Sequence, residues 1–157
     1  MVNARGRSLG LDVGAVRIGV AVSDPSGVVA TPLKVIDCVS PAKDAEAIAR
    51  IAAEMDARRI VAGLPLNQYG ERGPQADKVL DFLSVLREKV AVEIITQDER
   101  FTTAGAERML IGAHVRRKRR KQVIDKIAAQ QILQTYLDRQ QRLDNTHEER
   151  SQSGASD

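Results

Sequence analysis

At 157 residues the chain has room for one hydrophobic core but not for two with a cleft between them, so a single domain is expected. With 43% hydrophobic and 29% charged residues it has the make-up of a water-soluble protein, and no apolar run nears the roughly 20 residues of a membrane span. One cysteine, Cys38, excludes an internal disulfide framework or a cysteine-rich zinc site, and the polar "MVNARGRS" start makes no secretory signal, so a cytoplasmic location is expected.

Residues 8–13 and 16–23 read as strands joined by a turn near Gly14 and Ala15, and residues 27–37 continue as a third strand after the turn signal "DPSG". Ser40 followed by Pro41 suits the start of a helix, along which Ile48, Ile51, Ala52 and Met55 recur at helical spacing. "RIVAGLP" is a buried strand leading into the loop "LNQYGERG". Residues 75–89 place Ala76, Val79, Leu80, Leu83 and Leu86 on one helical face, and residues 90–96 form another strand. Helices are expected at 103–112 and 123–140, separated by a basic run; from about Arg142 the polar tail has little to bury and is expected to be disordered, so the domain spans residues 1–141. The order βββ-α-β-α-β-α is a mixed α/β pattern, a hairpin sheet of five strands in all extended through helical crossovers.

Three carboxylates stand out on this scaffold. Asp12 lies inside the first strand and shares a face with Gly10 and Gly14, while Arg17, Gly19, Ala21 and Ser23 share one face of the second. Glycine beside a strand acid leaves room for a close approach. Glu99 lies at the end of the last strand, where open sheets commonly bind ligands, although "QDER" also suits a solvated turn. Asp125 falls on the same helical stripe as Ala128, Ala129, Ile132 and Tyr136, which turns it toward the sheet; an acid stabilising the helix N-terminus is the plainer alternative.

Two unit charges about 5 Å apart repel by roughly 3 kcal/mol at an effective dielectric of about 20, so three converging carboxylates require a counter-ion or a proton. An all-oxygen site without His or Cys suits Mg²⁺ or Mn²⁺. Shortly before Asp125, Arg116, Arg117, Lys118, Arg119, Arg120 and Lys121 form six consecutive cations, an electrostatic footprint for nucleic-acid phosphates that carries affinity without sequence specificity. With aromatic residues at 3%, the chain has no stacking platform for single strands.

"LGLDVGAVRIGVAVSD", "VAGLPLNQYGERG", "DERFTTAGAERML" and "KRRKQVIDKIAAQQILQTYLD" together resemble the successive motifs of the YqgF/RuvX family of Holliday junction resolvases and pre-ribosomal-RNA nucleases, over residues 8–138. The resemblance implies a ribonuclease H-like fold. It implies an acidic triad of Asp12, Glu99 and Asp125 holding two Mg²⁺ or Mn²⁺ ions, with maturation of small-subunit ribosomal RNA or cleavage of branched DNA as the reaction. Arg17, Asn67, Gly70, Arg100, Thr102 and Thr103 match recurrent motif positions that contact substrate or brace the site, although "NQYGE" stands where the family usually has "NMDGS". The chain is expected as a monomer or a homodimer: symmetric cutting of a four-way junction implies a twofold dimer, and a Cys38–Cys38 bridge is a device that a reducing cytoplasm disfavours. Two other classes compete: an RNA-binding ribosome-assembly factor without catalysis, and a fragment of an actin-like ATPase, whose phosphate hairpin "GLDVGAVRIGV" also resembles.

Overall fold

A computed structural model describes residues 6–99 and 117–154, with the side chains of 117–123 and 148–154 excepted. Its elements are β1 (Arg7–Val13), β2 (Arg17–Ser23), β3 (Ala30–Asp37), α1 (Pro41–Glu54), β4 (Ala57–Leu64), α2 (Pro74–Arg87), β5 (Glu93–Asp98) and α3 (Arg117–Gly154). The strands form one five-stranded sheet in the order β3-β2-β1-β4-β5. The first three strands are antiparallel, and β4 and β5 run parallel to β1 through the α1 and α2 crossovers. This is the mixed α/β class expected from the order of elements.

Alternation along the strands sends two sets of side chains to opposite faces. Leu9, Leu11, Ile18, Val20, Ile60 and Ala62 pack with α1 and α2, whereas Ala21, Ala30 and Val61 pack with Ala129, Ile132, Leu133 and Leu137 of α3. Each fully buried Leu or Ile of that α3 stripe contributes about 1.5–3 kcal/mol, so docking of this helix is a main source of stability for the second face. Two glutamines fasten it further: Gln134 accepts from the Ala30 amide at 2.8 Å and donates to the Val28 carbonyl at 2.9 Å, and Gln130 donates to the Ala30 carbonyl at 3.1 Å.

Local chemistry explains the element boundaries. The Ser40 hydroxyl caps α1 by accepting from the Lys43 amide, with Pro41 in the first turn as expected. β3 begins at Ala30 rather than residue 27, because the Asp24 carboxylate gathers the amides of Val28 and Val29, at 2.8 Å each, into a closed turn. β5 begins at Glu93 rather than residue 90, because the amides of Lys89 and Val90 still bond to Leu86 at the end of α2.

Two further expectations differ. The basic segment from Arg117 onward is the beginning of α3 rather than a linker, and α3 runs on through Gly154, beyond the expected boundary at residue 141. Lys, Arg, Gln and Glu are good helix formers, and no Pro or Gly interrupts Arg117 to Ser153, so the buried middle of the helix propagates both ways. Leu143 is 54% exposed, in keeping with a segment that buries little. The helix expected at 103–112 lies outside the described residues. Among the described residues no helix is long and apolar enough to cross a membrane.

Candidate active site

Asp12 sits near the carboxyl end of β1 at 9% exposure and is registered with Gly19 across the β1–β2 ladder. Leu11 is registered with Ala62 of β4, so continuing the parallel register sets Gly63 beside Asp12 on the other side. Gly63 in turn pairs with Gln97 of β5. Registered neighbours face the same way, about 5 Å apart, so Gly19, Asp12, Gly63 and Gln97 form a row across four strands on the face covered by α3.

The two glycines let the Asp125 backbone and the Glu99 side chain come close to the strands on either side of Asp12. A Cβ on Gly19 would lie 2.1 Å from the carbonyl oxygen of Asp125 and 2.6 Å from its carbonyl carbon, so the backbone of α3 rests directly on this strand. A Cβ on Gly63 would lie 2.6 Å from Oε1 of Glu99 and 2.5 Å from Cδ1 of Ile132, so the Glu99 side chain bends back over β4. Asp125 therefore flanks Asp12 over β2, and Glu99 flanks it over β4. Residues separated by most of the chain are brought onto three adjacent strands at one end of the sheet.

Charge is balanced locally by Arg17, whose Nε donates to Oδ2 of Asp125 at 3.0 Å, each side chain being about a fifth exposed. Arg17 is thus a brace for Asp125 in this arrangement. Among the described residues, Asp12, Glu99 and Asp125 included, no three or more His, Cys, Asp or Glu side chains are grouped so as to hold a metal ion in this arrangement. The donor set still fits a hard dication. It consists of carboxylate oxygens alone, the donor type that Mg²⁺ and Mn²⁺ take, with the Asp125 backbone against Gly19 and the Glu99 side chain over Gly63.

The remaining nominated residues are placed as follows. Asn67, in the loop after β4, accepts from the amides of Tyr69 and Glu71 at 2.9 Å each and donates to the Glu71 carboxylate, and Gly70 takes φ +80°, so both shape the loop itself. Tyr69 is 75% exposed. Arg100, Thr102, Thr103 and Arg116 lie outside the described residues, as do the side chains of Arg117, Lys118, Arg119, Arg120 and Lys121. Cys38 is half-buried rather than exposed, 3.8 Å from the Gly14 carbonyl, and burial together with Asp44 and Asp37 raises its thiol pKa. It lines a cavity of about 660 Å³ with Val13, Ile18, Lys78 and Phe82, on the α1–α2 face away from the three acids.

Sequence reasoning passed over Gln97. It is 5% exposed, and among the described residues its side-chain nitrogen has no hydrogen-bond partner. Its position on the last strand, two residues before Glu99, was the available signal.

A family model for RuvX, described as Holliday junction resolvase, matches residues 6–139. The chain belongs to the RuvX family. A relative from Desulforudis audaxviator, named "Putative pre-16S rRNA nuclease", is 50% identical over 131 residues, covering 83% of this chain and 93% of its own. One from Desulforamulus reducens with the same name is 49% identical, covering 84% and 96%. Among solved structures, RuvC of T. thermophilus in complex with a Holliday junction superposes with a TM-score of 0.55 at 15% identity, over 87% of this chain and 96% of that one. The Fowlpox virus resolvase, also bound to Holliday junction DNA, superposes at 0.51 with 9% identity, over 84% and 97%. At such identities the two structures share the fold with this RuvX chain, the ribonuclease H-like fold expected of the family.

Proposed function

We propose that this chain hydrolyses phosphodiester bonds in structured nucleic acid, a precursor of small-subunit ribosomal RNA or a four-way DNA junction, at Asp12, Glu99 and Asp125. The observation that carries this reading is the bare row Gly19–Asp12–Gly63, over which the backbone of Asp125 and the carboxylate of Glu99 close from either side. The names of the relatives and of the family supply the two substrate classes, ribosomal RNA precursor and four-way junction.

Asp12, Glu99 and Asp125 would hold Mg²⁺ or Mn²⁺. When bound, the dications supply Lewis-acid polarisation of the scissile phosphate and activation of water. The chain's own contribution is positional. Asp12, central and nearly buried, has its place set by the sheet, while α3 sets Asp125, and the Arg17 guanidinium holds the Asp125 carboxylate against β2. Glu99 closes from the β5 side. The cations at 116–121, a turn of helix before Asp125, attract the phosphate backbone without reading bases.

The test is cleavage of a synthetic four-way junction and of a precursor ribosomal RNA by the full chain, with and without Mn²⁺, beside Asp12→Asn. Divalent-dependent cutting that disappears in a folded Asp12→Asn protein is expected. Binding of RNA with no cutting in Mn²⁺ would replace the nuclease with an assembly factor, and binding of ATP would point to the actin-like reading. Junction cleavage further requires a twofold dimer, which sedimentation of the active protein reads directly.

A further inference from the structure

We propose that Gln97 is a positioning residue for Glu99, its carboxamide N–H holding the Glu99 carboxylate over Gly63 and beside Asp12. The inference rests on reading the three acids as the cleaving site. Its geometry comes from the register of the sheet. Ile95 pairs with Val61, which packs in the α3-side core, so Ile95 and Gln97 alternate onto that same face, and Glu99 follows directly after the strand ends at Asp98. Gln97 is paired with Gly63, and it is over Gly63 that the Glu99 side chain lies, with Oε1 2.6 Å and Cγ 3.0 Å from where a Cβ would stand. Strands about 4.8 Å apart make Gln97 and the Glu99 carboxylate lateral neighbours.

A long polar side chain is a costly occupant of this place. Gln97 is 95% buried by its 5% exposure, and its amide nitrogen has no hydrogen-bond partner among the described residues. A buried donor left unmade is penalised, and an apolar side chain of equal length would escape the penalty. Glu99, whose carboxylate lies over the paired Gly63, offers an anionic acceptor beside this nitrogen. A hydrogen bond to an ionised carboxylate is about twice as strong as a neutral one, and the terminal torsion of glutamine turns broadly without a rotamer penalty. Gln97 can therefore engage Glu99 by rotation of its amide alone, fixing a flexible glutamate that otherwise loses rotamer freedom whenever the site is filled.

The experiment compares the full-length parent with Gln97→Met, and with Gln97→Leu as a second variant, in Mn²⁺ titration calorimetry, steady-state cleavage and urea unfolding. Both variants remove the donor and keep most of the volume. The expected result is an unfolding midpoint equal to or above the parent's, Mn²⁺ affinity weakened by about tenfold or more, and kcat lowered similarly with KM for nucleic acid unchanged. In a Glu99→Gln background the same substitutions should change Mn²⁺ affinity no further, because the group they act through has been altered. Parent-like affinity and kcat, an undiminished effect in the Glu99→Gln background, or loss of folding in both variants overturns the assignment. Those outcomes with an active, Mn²⁺-binding parent sink the role of Gln97 alone, whereas a parent that neither binds Mn²⁺ nor cuts removes the cleaving site and this inference with it.

Discussion

Gly19→Ala isolates the contact that brings Asp125 to Asp12. In an ordinary strand interior the substitution would stabilise by roughly 0.5–1 kcal/mol through lost chain entropy. Here the new methyl would stand 2.1 Å and 2.6 Å from the carbonyl oxygen and carbon of Asp125. Nonbonded heavy atoms rest at roughly 3.5 Å, so α3 has to retreat by about 1 Å or more at this point. The obstacle is backbone, which cannot swing aside as a side-chain tip can. Overpacking of this kind costs about 1–3 kcal/mol, so the clash outweighs the entropic gain and a net loss of stability is expected. Displacement of a reacting group by about 1 Å is worth on the order of a hundredfold in rate. Gly63→Ala is the contrasting case, since its methyl would meet the tips of Ile132 and Glu99. It should cost less in stability and still impair cleavage by deflecting Glu99. Urea unfolding and Mn²⁺-dependent cleavage of both proteins form the assay. A Gly19→Ala protein with the parent's unfolding midpoint and turnover would refute the claim that α3 is seated on this strand.

Neutralising Arg116 through Lys121 together should weaken nucleic-acid binding for all sequences alike and flatten its salt dependence, by up to about 0.9 in log–log slope per phosphate contact removed; an unchanged slope in a salt titration would show the run to be idle. Asp24 gives a pH signature. Hydrogen bonds from the Ser26 hydroxyl and the Val28 and Val29 amides hold its pKa at about 2, below the ordinary 3.8. A depressed carboxylate pKa contributes stability that is present above the unfolded value and lost as pH falls toward the folded one, so urea midpoints should decline between pH 3.8 and about 2 more steeply in the parent than in Asp24→Asn. Cys38, half-buried with a raised thiol pKa, is a poor thiolate, so non-reducing electrophoresis should show no bridged dimer and sedimentation of Cys38→Ser should match the parent.

The fold was legible wherever one periodicity dominated. The alternation of residues 8–23 and the stripe of Ala128, Ala129 and Ile132 each fixed an element and its buried face. Boundaries were less legible where a local hydrogen bond overruled composition. Asp24 closes a turn that "GVVA" alone reads as strand, and the Leu86 carbonyl in the last turn of α2 claims the amides of Lys89 and Val90. The extent of α3 was hidden for a different reason: polar residues with high helix propensity continue a helix already anchored by packing, which a hydrophobic pattern does not register. For the site, parity along β1 and helical angle at Asp125 were enough to set both acids facing the same layer. What parity cannot supply is register between strands, and the meeting of Gly63 with Gln97 and Glu99 depends on that register.

The ion pair between Arg17 and Asp125 spans 108 positions. A ribosome adding about 5–20 residues per second therefore exposes the hairpin of β1 and β2 for roughly 5–20 s before its helical cover arrives. Through that interval the nascent chain carries Asp12 without Asp125, and Gly10 and Gly19 lie open where the helix will later rest. On the proposed reading of these acids, a chain still without α3 holds an incomplete site. Asp125 comes to its place beside Asp12 only when α3 docks on the sheet.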